Sequence, residues 1–258
     1  MKIGLIGYKG FLGQAFLHEW THYGEIVCLG RNDDIGKLEG CKVIVNANGN
    51  SSKVVAESDP LFDFTSNALF PLKVSMFSKQ NSSLLIHISS GEVENSIQNT
   101  INDKSLVELL AMKTNYGFSK TVGESVVQRY AENWMIIRPS GLIGQGMYKG
   151  PVYDLINGKP LWVNPESTLS LMGTETTARL TYQLMLGHLS KARENQTYNL
   201  MSKDPLSVLE IAARLNLKVE ARPNLPIFHA RIGSQQNIDP KLIPSTEEEL
   251  FKYKRVIV

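Results

Sequence analysis

The chain has little that would tie it to an oxidising compartment, a membrane or a polyanion. Cys28 and Cys41 are the only cysteines among 258 residues, too few for a disulfide framework and without metal-ligand spacing. Cys28 falls within an apolar strand pattern and is expected to be a buried strand residue. The longest apolar runs are strand-sized, so nothing reads as a bilayer span. Charge nearly balances, 27 Lys and Arg against 25 Asp and Glu for a net of +2, which argues against nucleic acid or a membrane surface as partner. Met1-Lys2 leads straight into the first strand pattern and leaves no room for a signal peptide, so the expected setting is a reducing cytoplasm. His18 and His22 share an i, i+4 spacing but no third ligand is evident, and no metal is expected. What remains is ordinary globular composition, 42% hydrophobic and 20% charged, in a chain long enough to bury a substantial core.

Strand-like and helix-like segments alternate up to about Arg138, the pattern of a doubly wound parallel α/β sheet of Rossmann type. The first apolar run, Ile3-Gly4-Leu5-Ile6, is followed by Gly7-Tyr8-Lys9-Gly10-Phe11-Leu12-Gly13 and then by a helix-like stretch to Trp20. Strand, glycine-rich turn and helix in that order form the context of a dinucleotide site. Gly7 permits the tight turn, Gly10 lets backbone approach a diphosphate, and Gly13 lets the helix pack close to the strand. First-turn amides and the positive helix end then attract the anion. The spacing is G-x-x-G-x-x-G rather than G-x-G-x-x-G.

A second motif lies about a hundred residues on. Tyr116 and Lys120, within Tyr116-Gly117-Phe118-Ser119-Lys120, are four apart and share one helix face. A phenol with an ordinary pKa of about 10 needs help to act as acid or base near neutrality, and a neighbouring ammonium favours the phenolate. Between the two motifs, Leu84-Leu85-Ile86-His87-Ile88 reads as a buried parallel strand with Ser89-Ser90-Gly91-Glu92 just past its carboxyl end. Ligands bind at that edge of open α/β sheets. His87 is expected to be a satisfied buried histidine, and Trp134 and Trp162 packing residues.

Together these motifs resemble the extended short-chain dehydrogenase/reductases, the family of nucleotide-sugar epimerases, dehydratases and ketoreductases. The resemblance spans nearly the whole chain. Val43-Ile44-Val45-Asn46-Ala47 is similar to the family's fourth strand, and Asp59-Pro60 with Asn67 to its following helix. Tyr116 to Lys120 followed by Glu124 resembles Y-G-x-S-K-x-x-x-E, and Ile136-Ile137-Arg138-Pro139 with Gly144-Gln145-Gly146 resembles the strand and loop leading to the substrate region. The resemblance implies a catalytic set of Ser90, Tyr116 and Lys120. It implies cofactor contacts from the residues Gly7 to Gly13 and from Arg31, Asn46, Ala47, Asn48, Asn67, Tyr116, Lys120 and Pro139. Ser90, Glu92, Gly141 and Arg179 are the substrate-side candidates. The implied organisation is one compact unit, with a nucleotide-binding lobe over residues 1–145 and a smaller substrate lobe over 146–258, and a homodimer is implied by analogy.

Departures from the family pattern refine the expectation. About a dozen residues separate the second strand from the strand at Lys42, so the family's third strand should be missing or vestigial. The second strand ends in Leu29-Gly30-Arg31-Asn32 where relatives carry a ribose-binding acid. Arg31, with Lys9, favours NADP(H), whereas Asp33 or Asp34 swinging in would allow NAD(H). The Asp-Glu pair of the sugar dehydratases is here Gly91-Glu92, which disfavours dehydration. Gly141 replaces an asparagine that contacts the nucleotide diphosphate, leaving Arg179, Lys159 and Lys149 as candidates in the second lobe. The leading expectation is NADPH-dependent reduction of a keto group on a nucleotide-activated deoxysugar. A nucleotide-sugar epimerase is the alternative, and a non-catalytic NADP-binding regulator a third reading. Beyond Gly146, helix starts are expected near Thr174, at the capping box Ser207–Glu210 and at Ser245–Glu248.

Overall fold

The computed structural model describes residues 1–93, 114–190, 194–230 and 238–257. The chain alternates strand and helix as its apolar pattern dictates. β1 (Lys2–Ile6) leads to α1 (Phe11–Trp20) and β2 (Glu25–Leu29), then β3 (Val43–Asn46), α2 (Lys53–Ser58), α3 (Pro60–Phe64), a π-helical turn over Thr65–Leu69, α4 (Phe70–Gln80) and β4 (Leu84–Ile88). After residues 94–113, which lie outside the described set, come α5 (Asn115–Tyr130), β5 (Trp134–Pro139), β6 (Gly141–Ile143), α6 (Pro151–Ile156), β7 (Thr168–Leu169), β8 (Leu171–Gly173) and α7 (Thr174–Ser190). β9 (Gln196–Leu200), β10 (Leu206–Ser207), α8 (Val208–Leu215) and α9 (Thr246–Ile257) complete the order.

The main sheet has six strands in the order β2-β1-β3-β4-β5-β9. β1 pairs in parallel with both β2 and β3, β3 with β4, and β4 with β5. The strand order reverses beside β1, so the carboxyl ends of β1 and β3 flank the crevice in which such sheets bind ligands. β3 and β4 are buried along their whole length, consistent with continuous apolar runs in strands covered on both faces.

The described residues form two compact units: Met1–Arg138 with Ala178–Tyr198, and Pro139–Thr177 with Asn199–Val258. The sequence pattern suggests a single change of lobe after residue 145, whereas the chain crosses between units three times. In the first unit Ile6, Leu29, Leu38, Ile44, Leu85 and Ile136 belong to one core. In the second, Ile143, Leu161, Leu171, Val208, Leu215 and Tyr253 belong to another. The helix starts form as expected. Asp59 caps α3 through Phe62 N–H with Pro60 at its first turn, Ser207 and Glu210 complete a reciprocal capping box, and Ser245 with Glu248 repeats that arrangement before α9.

Between Leu29 and Val43 the chain forms only a 3-10 turn, Ile35–Leu38, in place of the helix and strand that relatives fit there. Asp34 caps the turn at Gly36 N–H, and Leu38 is fully buried against Gly4 of β1, where an added Cβ would lie 2.8 Å from the Leu38 side chain. One leucine thus plugs the sheet face that the shortened connection leaves bare. Two expectations fail. Cys28 is only partly buried, because β2 is an edge strand. Trp162 is 64% exposed, with the Arg222 guanidinium stacked on its ring at 3.5 Å from the centroid, so one face of the ring meets a cation instead of a core.

Replacing Leu38 by Ala should cost about 2–5 kcal/mol, the range for a cavity at a fully buried leucine. Urea unfolding followed by far-UV circular dichroism checks this, with a lower midpoint and an unchanged slope expected.

Candidate active site

The glycine-rich turn places backbone, not side chains, around the carboxyl end of β1. Gly7 has φ +81°, and a Cβ there would lie 2.8 Å from the Ala47 carbonyl and 2.7 Å from Asn48 N. A Cβ on Gly13 would collide with the Gly7 carbonyl oxygen, so α1 sits as close to the strand as backbone allows. Gly10 N–H donates to that same carbonyl at 2.9 Å. α1 opens at Gly10 with no side-chain cap and no acidic residue in its first turn, which leaves amide donors and the positive helix end for an anion. These features fit a nucleotide diphosphate. Tyr8 is half-buried and Lys9 exposed beside it, with the Lys9 ammonium 5.6 Å from the Tyr8 ring centroid.

At the end of β2, Arg31 is exposed. Asp33 turns its carboxylate back onto Gly30 N–H at 2.8 Å and the Lys37 ammonium at 2.7 Å. Those two hydrogen bonds, Lys37 first, hold its carboxyl below the ordinary range. The arginine and the swung-in acid, the two alternatives for this strand end, therefore both have a residue in place.

Asn46 closes β3 wholly buried, and its amide serves the protein itself: Oδ1 accepts from Asn48 N–H at 3.3 Å and Nδ2 meets His87 Nδ1 at 3.3 Å. Ala47 and Asn48 follow, half-buried. His87 departs from expectation in one respect. Its Nε2 is buried without a hydrogen-bond partner, and burial, with the Lys120 charge nearby, depresses its pKa to about 3. It is a neutral ring.

The candidate catalytic residues converge in the first unit. Thr114 caps α5 through Gly117 N–H at 3.0 Å, and the helix buries Tyr116, Ser119, Lys120 and Glu124 along one face. Ser90, half-buried past β4, accepts from Glu92 N–H at 3.2 Å and hydrogen-bonds the Tyr116 phenol. Burial pushes the phenol up to about 12, against the pull of that bond and with Glu92 and Asp63 adding to the rise. Lys120 is 5% exposed; desolvation lowers it to about 8, opposed by Asp63 and Glu124. The tyrosine is thus governed by burial more than by the neighbouring ammonium that its sequence spacing suggested.

The remaining candidates separate. Ser89 is buried and donates to Glu124, whose carboxylate also takes the Arg138 guanidinium as a fork, Nε at 2.9 Å and Nη2 at 2.6 Å. Glu92 pairs with Lys53 at 2.8 Å. Arg179 is exposed and falls in the first unit, not in the second lobe where its sequence position suggests it. Pro139 and Gly141 belong to the second unit, where Gly141 N–H donates to the Ser170 carbonyl at 3.1 Å. His18 and His22 are exposed, and no metal-holding cluster occurs among the described residues. No helix among them is long and apolar enough to cross a membrane.

Sequence reasoning passes over Asp63. It is 1% exposed, and its carboxylate accepts from Asn50 Nδ2 at 2.7 Å, Asn67 Nδ2 at 2.8 Å and Ser119 Oγ at 2.5 Å. The available signal is its place four residues before Asn67, which puts both side chains on one helix face.

Replacing Arg138 by Met leaves Glu124 buried without its cation and should cost about 3–5 kcal/mol. Adding Glu124→Gln should recover a substantial part of that loss. Chemical denaturation of the single and double variants checks both statements.

Similarity to known proteins identifies the family. Residues 1–227 match the family model described as RmlD substrate binding domain. No curated protein gives a significant match. A dTDP-4-dehydrorhamnose reductase of Clostridium acetobutylicum shares the fold with a TM-score of 0.80 at 18% identity, over 100% of this chain and 99% of that one. The dTDP-4-dehydrorhamnose reductase of Bacillus anthracis, solved in complex with NADP, superposes with a TM-score of 0.75 at 19% identity, covering 98% and 96%. The UDP-glucose 4-epimerase of Thermotoga maritima, solved with UDP-glucose, gives 0.73 at 14% identity, covering 99% and 98%. With its six-stranded parallel sheet and its match over most of its length, the chain belongs to the RmlD substrate-binding-domain family, within the NAD(P)-dependent extended short-chain dehydrogenase/reductases.

Proposed function

We propose that the protein is an NADPH-dependent ketoreductase acting on a keto group, at C4, of a nucleotide-activated deoxysugar. The observation that carries this reading is Tyr116, buried, hydrogen-bonded to Ser90 and held protonated by an environment that raises its pKa to about 12. Reduction of a ketone needs a proton donor at the carbonyl oxygen, and a phenol is ready to be one. Three of the similar structures carry the name dTDP-4-dehydrorhamnose reductase, and one of them holds NADP.

In this reading the turn Gly7–Gly13 and the first turn of α1 hold the cofactor diphosphate, and Asn48 lines the same crevice. Arg31 and Lys9 favour a 2′-phosphate. When bound, the dihydronicotinamide supplies a hydride to the carbonyl carbon. Tyr116 donates its proton to the carbonyl oxygen as negative charge develops there, and Ser90 steadies that oxygen with its hydroxyl. Lys120 holds the nicotinamide ribose, and its charge offsets the phenolate that Tyr116 becomes. Solvent then restores the phenol proton.

A second reading, a nucleotide-sugar epimerase that retains NAD, draws on Asp33. Its carboxylate lies at the end of β2, hydrogen-bonded to Gly30 N–H, where a ribose-binding acid would accept from a 2′-hydroxyl. UDP-sugar epimerases are among the similar structures.

Tyr116→Phe should lower turnover of a 4-keto sugar nucleotide by about 10²–10⁴-fold, the usual contribution of acid catalysis, while fluorescence titration finds NADPH affinity within twofold. Unaltered turnover would overturn the assignment. Arg31→Ala should weaken NADPH binding by roughly 10–100-fold, the worth of a charge-assisted hydrogen bond, and leave NADH binding unchanged. Mass spectrometry of the nucleotide released on denaturation decides between the readings, since near-stoichiometric NAD would support the epimerase.

A further inference from the structure

We propose that Asp63 is a positioning residue for the Tyr116–Lys120 pair: its fixed negative charge keeps Lys120 an ammonium, and its hydrogen bonds aim the Asn67 carbonyl oxygen at the space beside Lys120. The proposal rests on the reductase reading only for its consequence on turnover.

The geometry begins with a carboxylate that has almost no water. Asp63 lies on α3, and its two oxygens take three donors from three places: Asn50 before α2, Asn67 in the π-helical turn, and Ser119 on α5. None of these donors is charged. An ionised carboxylate buried among neutral donors needs a positive charge close by. Lys120, itself buried and with Asp63 as the foremost charge acting to keep it protonated, is that charge. The groups facing Lys120 are Asp63 from α3, Glu124 from its own helix and His87 from β4. Glu124 is already bound by the Arg138 fork, and His87 is neutral. Asp63 is therefore the carboxylate left for Lys120 to neutralise.

The second action is orientation. A carboxylate accepts and cannot donate, so the Asn67 amide must present Nδ2 to Asp63. Ser119 Oγ stands 3.2 Å from the same nitrogen. Oδ1 of Asn67 is consequently turned the other way, buried and without a hydrogen-bond partner. It faces Gly49, where a single added Cβ would lie 2.6 Å from Asn67 Oδ1 and 3.1 Å from Lys120 Nζ. An acceptor and a cation thus border one small space with backbone glycine as its wall. The close packing is reinforced at Gly123, where any Cβ would collide with the Asn67 backbone carbonyl.

The sign of the effect follows from the charge. Lys120 loses its proton as pH rises through its pKa, and removing Asp63's charge lowers that pKa, so the ammonium disappears at lower pH. The test is the Lys120 Nζ titration read by ¹⁵N NMR, with the resonance assigned from Lys120→Met. Wild type should titrate near pH 8, and Asp63→Asn, which keeps the size and loses the charge, should titrate roughly one pH unit lower or more. A midpoint in Asp63→Asn within about 0.3 units of wild type, too small for the loss of a close charge, would overturn the proposal. If Asp63→Asn does not fold, Asp63→Ser, which leaves room for a water, bears the same measurement with the same two outcomes. A merely structural role moves thermal stability but not this titration. Under the reductase reading the basic limb of the pH–rate profile should shift by the same amount. Absence of keto-sugar turnover in wild type would remove the reductase reading, while the NMR titration would still decide the role of Asp63.

Discussion

The site depends on the removal of ionisable groups from water. α5 turns inward a face that carries Tyr116, Ser119, Lys120 and Glu124, of which the lysine and the glutamate seldom occupy a helix's inner side. Such a face is tolerable only if each charge finds a partner. Glu124 takes the Arg138 fork and Ser89, while Asp63 takes three neutral donors beside Lys120. Two anions and two cations balance, and none is an ordinary surface pair. Breaking one member therefore exposes another, which is why Ser89, next to the candidate catalytic Ser90, is bound into the packing and not left for chemistry.

Much of this was legible from sequence because it rests on local rules. Glycines that need positive φ or close approach announce the first turn, period-3.6 spacing puts Tyr116 and Lys120 on one face, and the helix starts at Asp59, Ser207 and Ser245 follow capping chemistry. The unread part is non-local. Asp63 looks like any polar helix residue until α3 is packed beneath α5. Trp162 reads as apolar bulk, yet one face of its ring is stacked by Arg222, sixty residues on. The return of Ala178–Tyr198 to the first unit has no marker in composition, since helix α7 runs through the boundary without a break.

The shortened connection after β2 shows how a departure from the family pattern is absorbed. Where relatives fit a helix and a strand, a 3-10 turn capped by Asp34 carries Leu38 onto Gly4. The apolar face of β1 is covered at the cost of breadth, and β2 becomes the sheet edge. The strand end that would meet an adenosine ribose is then a short exposed loop holding both Arg31 and Asp33. On the proposed reading cofactor choice turns on which of these two faces the 2′ position, and Asp33 is already engaged by Gly30 and Lys37.

The direction of chemistry can be argued from the same desolvation. At pH 7 any phenol holds its proton, and burial, which pushes this one up to about 12, adds roughly 3 kcal/mol to the cost of removing it. An epimerase begins by oxidising its sugar and needs that phenolate before the first hydride leaves, so bound cofactor and substrate would have to offset most of this cost. A ketoreductase begins with the phenol it already has. The developing alkoxide is the more basic of the two oxygens, so the proton passes to substrate as hydride arrives. The phenolate left behind is the species that Lys120 and Ser90 must then stabilise. On this argument the charge on Lys120 matters most after proton transfer, and the buried carboxylates of Asp63 and Glu124 act by keeping that charge in place despite the desolvation that lowers it.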